Sequence, residues 1–566
     1  MLERLTQTDH DAAVQIVQRY LNADQLQDLL DKHVQHIVTL TEQARGRSSP
    51  HIGAELAAFL IDLHGIDLLQ NRLIRLYLTH SLPEEQIAGL AIWGGGVAPQ
   101  TLFLQVKHIA DRRWVPGKQW ARHFAHLFGF PSIFAGIVGN PLGPSIEEVE
   151  APVTLRAMHD YQRELVGKIH TMLRAPEGQN RAILSLPTGA GKTRTVVEAL
   201  LSWWGMDAKV KPFLLWIAQS EELCEQAVES FREVWSHEGG RGPRTTLRLF
   251  RYWGAHQALP EGYTDGVIVA SIQKLYQMLQ TDDGTDELAR LADDTAAIVV
   301  DEAHHAIAPS YSIVLETFGL TFGRHPSSLV PLLGLTATPY RGSNIEENRR
   351  LARRFHGQLL IPTLLGDDPI RTLRDRGILS RVDHRILETG RSFTLTDEEL
   401  QRFQQLGQLP DTFLRKVGQD AQRNALLLHT LMDLPAPWPV LCFACSVDHA
   451  RALAVLLRRH GRSAEVVTGE TRRSTRRQLI EAFRAGHVQV LCNYGVLTTG
   501  FDAPKIRAVV IARPTTSVVL YEQMIGRGVR GPNNGGTEEC LVIDLEDNIK
   551  QFQGQMAYAR MREFWS

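Results

Sequence analysis

The sequence predicts an α/β protein, two tandem parallel-sheet lobes preceded by an α-helical N-terminal domain, and three observations carry this. From residue 1 to about 150 the apolar residues recur at helical spacing, as in Val14, Val17 and Leu21 or Leu56, Phe59, Leu60 and Leu63. From about 153 short apolar runs alternate with amphipathic stretches, which is the pattern of βαβ units with strands buried on both faces. The alternation occurs twice, with a charged bridging region between, so two sheets are expected. The expected division is 1–150 for the helical domain, 151–345 for the first lobe and 346–566 for the second.

Within the first zone, turn signals fall at Ser48-Ser49-Pro50, Leu82-Pro83 and Gly94-Gly95-Gly96. The stretch from Gly136 to Pro152 reads as a linker. Trp93, Trp114 and Trp120 are expected in the core of this domain. Three roles are open to it: guiding a duplex, docking a protein partner such as a nuclease, or bracing the first lobe. In the first lobe the strands are expected at 182–186, 213–218, 267–271, 296–300 and 332–336. In the second they are expected at 440–444, 464–468, 488–493, 508–512 and 540–544.

A chain of 566 residues has room for three or four domains of ordinary size. Its 43% hydrophobic and 22% charged residues exclude wholesale disorder. With 61 Lys+Arg against 63 Asp+Glu the net charge is −2, which argues against a uniformly basic coat but leaves room for local basic clefts. Five scattered cysteines do not make a disulfide framework. No apolar run approaches the ~18–20 residues of a membrane span, and the first residues lack a signal-peptide pattern, so a cytoplasmic protein without a membrane partner is expected.

The strongest local signal is Leu186-Pro187-Thr188-Gly189-Ala190-Gly191-Lys192-Thr193, between an expected strand and an expected helix. Small residues at a helix N-terminus let backbone N–H groups surround phosphate oxygens. Lys192 would neutralise the β/γ-phosphates and the Thr193 hydroxyl would bind Mg²⁺. Leu186 stands where the general pattern has its first glycine. About a hundred residues on, the apolar run Ala296–Val300 ends in Asp301-Glu302-Ala303-His304-His305. Asp301 then suits the metal shell and Glu302 the general base for in-line attack on a γ-phosphate. Zinc at His304-His305 and a metal or redox role for Cys442 and Cys445 have weaker spacing, and a buried core reading is favoured for the cysteines.

These residues, taken in order, resemble the superfamily 2 helicases. The blocks are Gly189-Ala190-Gly191-Lys192-Thr193, Asp301-Glu302-Ala303-His304, Thr336-Ala337-Thr338-Pro339 and Gln523-x-x-Gly526-Arg527-x-x-Arg530. Further matches are Ile217-Ala218-Gln219-Ser220, Ala270-Ser271-Ile272-Gln273 and Thr498-Thr499-Gly500-Phe501-Asp502. Over roughly 153–548 the chain looks closest to the RadD-like and restriction-enzyme R-subunit branch. The resemblance implies two RecA-like lobes with ATP and Mg²⁺ between them. Thr188, Gly189, Ala190, Gly191, Lys192 and Thr193 would cradle the phosphates, with Thr193 and Asp301 on the metal. Gly500 and Asp502 would approach the nucleotide. Gln162 would read the adenine with Tyr161 beside it. Gln523, Arg527 and Arg530 would complete catalysis, the arginines as fingers. Thr336 and Thr338 would couple this site to a nucleic-acid path held through Gln219, Ser220, Ser271, Gln273, Ser446, Thr498 and Thr499.

The arginine clusters Arg349-Arg350-Arg353-Arg354 and Arg472-Arg473-Arg476-Arg477 suit either a duplex track or solvated helix faces. The expectation is an ATP-dependent helicase or translocase acting on DNA rather than RNA. The alternatives are an RNA helicase and an ATP-gated nucleic-acid scaffold that recruits a nuclease or other partner.

Overall fold

Asparagine and threonine caps start several helices of the N-terminal domain. Asn22 and Gln25 form a reciprocal capping box ahead of helix Ala23–Leu29, Asn71 accepts from Leu73 and Ile74, and Thr101 accepts from Leu104. The computed structural model describes residues 7–30, 52–93, 99–136, 146–149, 157–238, 242–256, 262–321, 330–337, 345–406, 408–471, 473–497, 503, 505–552 and 556–557. The helices Gln7–Tyr20, Ile52–His64, Arg72–His80, Leu102–Asp111 and Gln119–Phe128 close around Phe59, Phe124 and Phe134. Buried Arg75 donates to four carbonyls, those of Leu69, Gln70, Ala110 and Arg112, so one guanidinium ties its own helix to the segments on either side. Trp120 is buried, and Trp93 and Trp114 pack half-buried against the same core.

Among the described residues the domain seats on the second lobe. Arg459, on helix Val447–Arg459, donates to the Asp62 carboxylate at 2.8 and 3.0 Å, and its guanidinium lies 4.8 Å from the Phe59 ring centre. Arg458 donates to the Asp62 carbonyl, and Val455 joins the apolar cluster of the N-terminal domain. An arginine that stacks on an aromatic while pairing a carboxylate makes this a directional contact.

Two sheets follow. The first has eight strands in the order β1-β4-β5-β3-β6-β7-β2-β8: β1 Ile146–Val149, β2 Arg181–Ser185, β3 Phe213–Ala218, β4 Leu247–Tyr252, β5 Gly266–Ser271, β6 Thr295–Val300, β7 Leu332–Thr336 and β8 Leu359–Leu360. Among the described residues only its β1–β4 pair is antiparallel. The second has six strands, all parallel, in the order β11-β12-β10-β13-β14-β9. These are β9 Arg381–Phe393, β10 Val440–Phe443, β11 Ala464–Thr468, β12 Val490–Tyr494, β13 Ala508–Ile511 and β14 Glu539–Ile549. Helices cover both faces, as parallel sheets require.

Four strands differ from expectation. β1 lies inside the stretch read as a linker, and β8 joins the first sheet beyond residue 345, so that sheet continues past the expected boundary. β4 and β9 escaped because their charge hides the strand pattern. On β4, Arg251 is buried and donates to Glu147 of the edge strand β1 at 2.7 Å. β9 alternates exposed and half-buried residues as the edge of its sheet. In the second lobe, fully buried Arg423 pairs with Asp547 at 2.9 and 3.0 Å and also donates to the Ala512 carbonyl. Replacing Asp547 by Asn leaves that guanidinium buried without its counter-charge, which costs about 3–5 kcal/mol. A markedly lower urea midpoint for Asp547→Asn checks this; an unchanged midpoint contradicts it.

Candidate active site

β2, buried along most of its length, delivers the chain into the loop 186–191, and helix Lys192–Met206 leaves it. Gly189 and Gly191 sit at φ +86° and +81°, in the left-handed region that suits glycine. A side chain at Gly191 would also strike the Gln162 amide nitrogen at 2.6 Å. Leu186, where a glycine stands in the general pattern, is a core residue whose carbonyl accepts from the Lys192 amine at 2.9 Å. Burial pulls the Lys192 pKa down, and Glu302 and Asp301 oppose that pull. Thr188 and Thr193 line the same cleft.

β6 lies beside β7 in the sheet and ends in the two carboxylates. Glu302 is held at φ +50°, a strained conformation for a residue with a side chain. Its N–H donates to Asp301 Oδ1 at 3.0 Å. Gly334 on β7 makes room for this turn, since a Cβ there would meet Ala303 Cβ at 2.6 Å. Burial, with Glu302 close by, raises the Asp301 carboxyl to about 7. His304 Nδ1 lies 3.2 Å from Thr336 Oγ1 and 3.4 Å from a Glu302 oxygen, so one imidazole joins the carboxylate turn to the end of β7.

The second lobe closes the site. Helix Val518–Ile525 carries Gln523 and ends at Gly526, after which Arg527 and Arg530 enter the cleft facing Lys192, Asp301 and Glu302. The Arg527 charge is felt by both Lys192 and Asp301. Gly526 packs directly on Thr188, with no room for a side chain, and Gly189 faces the Val529 carbonyl and Arg530. The cleft measures about 1300 Å³ and is lined from both lobes.

Two residues were not foreseen. Asn534 donates to the Gly189 carbonyl at 3.2 Å, and its side-chain oxygen lies 3.2 Å from His159 Nε2, tying the phosphate loop to the second lobe. The Asn533-Asn534-Gly535-Gly536 run marked only a turn in the sequence. Glu522 faces the site as well; burial lifts its carboxyl to about 7, and Lys192 partly opposes that rise. Tyr161 does not reach a nucleobase: it is fully buried and its hydroxyl donates to the Ala190 carbonyl at 2.8 Å. Gln162 is buried against the loop, with its Oε1 accepting from the His159 N–H at 2.9 Å.

Gln219, Ser220, Ser271 and Gln273 gather at the neighbouring ends of β3 and β5, where Gln273 donates to the Gln219 carbonyl at 3.0 Å. Ser220, Ser271 and Ser446 each accept from an N–H three residues on, so all three hydroxyls serve as helix caps. Thr338, Thr498, Thr499, Gly500 and Asp502 lie outside the described residues. All five cysteines are buried free thiols, Cys442 facing Cys492 across β10 and β12. Arg354 is likewise buried, donating to the Ala306 carbonyl and the Ser312 hydroxyl.

The donor set suits a magnesium–polyphosphate complex. Among the described residues no group of three His, Cys, Asp or Glu side chains could hold a metal. Thr193 and Asp301 would supply protein ligands and leave the remaining positions to phosphate and water, the habit of Mg²⁺. Chemically, half-buried Lys192 with Arg527 and Arg530 offers positive charge on two sides of one space, and Glu302 offers a carboxylate to orient a water.

Two family models match the chain: "Type III restriction enzyme, res subunit" over residues 156–341 and "Helicase conserved C-terminal domain" over 423–531. The Saccharomyces cerevisiae protein "Putative ATP-dependent helicase IRC3" is 26% identical over 69% of this chain and 51% of its own length. The Escherichia coli "Type I restriction enzyme EcoKI endonuclease subunit" is 24% identical over 65% of this chain and 33% of its own. The chain spans about half the length of the first curated relatives it matches. A solved fragment of a putative HsdR subunit of a type I restriction enzyme from Vibrio vulnificus is similar at 21% identity and a TM-score of 0.44, covering 68% of this chain and 63% of that one. No helix among the described residues is long and apolar enough to cross a membrane.

Lys192→Ala is expected to abolish nucleotide binding or turnover, read by equilibrium titration with a fluorescent ATP analogue and by phosphate release. Glu302→Gln is expected to keep ATP affinity and to lose about 10²–10⁴-fold in turnover, the span of a positioned general base. Full turnover by the Glu302→Gln protein would sink that assignment.

Proposed function

We propose, from the premise that the chain belongs to the superfamily 2 helicases, an ATP-hydrolysing class, that it is an ATP-driven helicase or translocase acting on DNA. The observation that supports this most is the splitting of one charge set between two lobes. Lys192, Asp301 and Glu302 come from the first lobe, and Arg527 and Arg530 from the second. Turnover then requires closure, and closure is the movement that ATP binding and product release would drive.

The roles follow from position. Gly189, Ala190 and Gly191 bring backbone N–H groups to the phosphates, and Lys192 balances their charge. Thr193 and Asp301 would hold Mg²⁺, which when bound would supply charge stabilisation at the phosphoryl oxygens. Glu302 orients the attacking water. Arg527 and Arg530 meet the charge that develops on the transferred group, with Gln523 one turn before them. His304 carries the state of the Glu302 turn to Thr336. Gln162 borders the loop on its nucleobase side. DNA is favoured over RNA because the first lobe fits the restriction-enzyme model and the E. coli relative is a restriction endonuclease subunit. Gln219, Ser220, Ser271, Gln273 and Ser446, with Thr498 and Thr499, would meet the strand through its phosphates, without reading bases.

Arg527→Ala is expected to lower turnover by about 10³-fold or more while ATP affinity changes little, as for an arginine supplied across an interface. A loss confined to affinity argues against that role. ATPase rates with single-stranded DNA, duplex DNA and RNA at several salt concentrations test the substrate. DNA stimulation that weakens as salt rises is expected; stimulation by RNA alone rejects the DNA reading.

A further inference from the structure

Beyond the phosphate loop, the cleft runs on between two helices of opposite charge. On the first lobe, helix Glu221–Glu238 turns Glu221, Glu222, Glu225, Glu229 and Glu233 toward it, most of them at four-residue intervals that stack along one face. On the second, helix Arg473–Arg484 presents Arg476, Ile480 and Arg484 at the same interval. Arg476 crosses the gap to pair with Glu222. Neither partner of that pair is well exposed, with side chains 12% and 30% accessible, so salt screens it less than a surface pair. Arg476 is aimed by its own lobe, since it also donates to the Thr468 carbonyl at 3.0 Å and the Thr471 carbonyl at 3.3 Å.

The place of the pair gives it a meaning. Glu222 stands two residues past Ser220, in the first turn of a helix whose N-terminal dipole favours an anion. Gln219 and Ser220 are the residues proposed above to meet a DNA phosphate. A carboxylate in that position, paired to an arginine from the opposite lobe, occupies the electrostatic niche a backbone phosphate would take.

We propose that Glu222 and Arg476 form an interlobe latch, in which the Glu222 carboxylate stands in for a nucleic-acid phosphate and holds the lobes together until DNA displaces it. The latch rests on the DNA reading only for its release; its existence does not depend on turnover. The flanking glutamates set a threshold: a polyanion entering the seam is repelled unless it captures Arg476.

The test reads lobe separation directly. All five native cysteines are buried, so cysteines introduced at exposed Asp283 and Asp397 accept a dye pair selectively. Energy transfer is measured in the full chain without nucleotide or DNA. Glu222→Arg should lower the transfer, and Glu222→Gln should lower it less. The charge-swapped pair Glu222→Arg with Arg476→Glu should restore at least half of the lost transfer. Unchanged transfer in Glu222→Arg, or a swapped protein as open as the single variant, overturns the latch. Oligonucleotide DNA added to the wild-type protein should shift the transfer, and the Glu222→Gln protein should respond at a several-fold lower DNA concentration. Equal half-points overturn the phosphate-mimic role. Loss of DNA stimulation of ATPase alone would defeat the substrate reading and leave the swap result standing.

Discussion

The structure depends on one electrostatic constraint: neither lobe holds a balanced nucleotide site. Asp301 and Glu302 sit together where burial already pushes one carboxyl up to about 7, and the half-buried Lys192 amine donates to the Leu186 carbonyl. Two carboxylates and one desolvated amine form an unfavourable cluster unless further charge arrives. Arg527 and Arg530 bring it from the other lobe, and a phosphate chain with its metal would bring the rest. Much else follows from keeping that meeting possible. Gly526 has no side chain because Thr188 lies against it, and Gly334 has none because the carboxylate turn lies against it. His304 joins the turn to the end of β7, and Asn534 fastens the phosphate loop to the second lobe.

The parts legible in the sequence were those where chemistry and pattern coincide. The loop leading to Lys192 and Thr193 and the Asp301-Glu302 pair each follow an apolar strand, so periodicity placed both at the ends of strands in one parallel sheet, which share an edge. Where polar residues pair inside a strand, the pattern failed. β4 carries Arg251, which looks like a loop residue until Glu147 of β1 meets it; the two strands explain each other, and neither could be read alone. Tyr161 failed for another reason. A tyrosine beside a nucleotide loop suggests stacking, but a hydroxyl held by the Ala190 carbonyl turns it into a strut. Sequence spacing says which residues are near, not which atom of each is already engaged.

The N-terminal domain changes meaning with its position. Placed on the first lobe it would brace the nucleotide loop; on helix Val447–Arg459 it is carried by the lobe that presents the arginines. Asp62, Phe59 and Arg459 form a contact with both charge and stacking, so the domain and the second lobe are suited to move as one body. Any surface the domain offers would then swing relative to the first lobe at each closure.

The near-zero net charge fits the same economy. An overall −2 comes from large opposing populations, and the structure shows where part of each is spent. Glutamates of helix Glu221–Glu238 face arginines of helix Arg473–Arg484 across the cleft, and Arg459 is matched to Asp62. Charges paired between lobes are invisible in the sum but decide how readily the lobes part. A protein with a uniformly basic face would hold DNA tightly in every state. One that keeps its arginines paired to internal carboxylates exchanges one anion for another, so binding costs little reorganisation and release is close at hand. In the proposed translocase that exchange would suit its grip: contact strong enough to transmit a movement, and a competing partner within reach to end it.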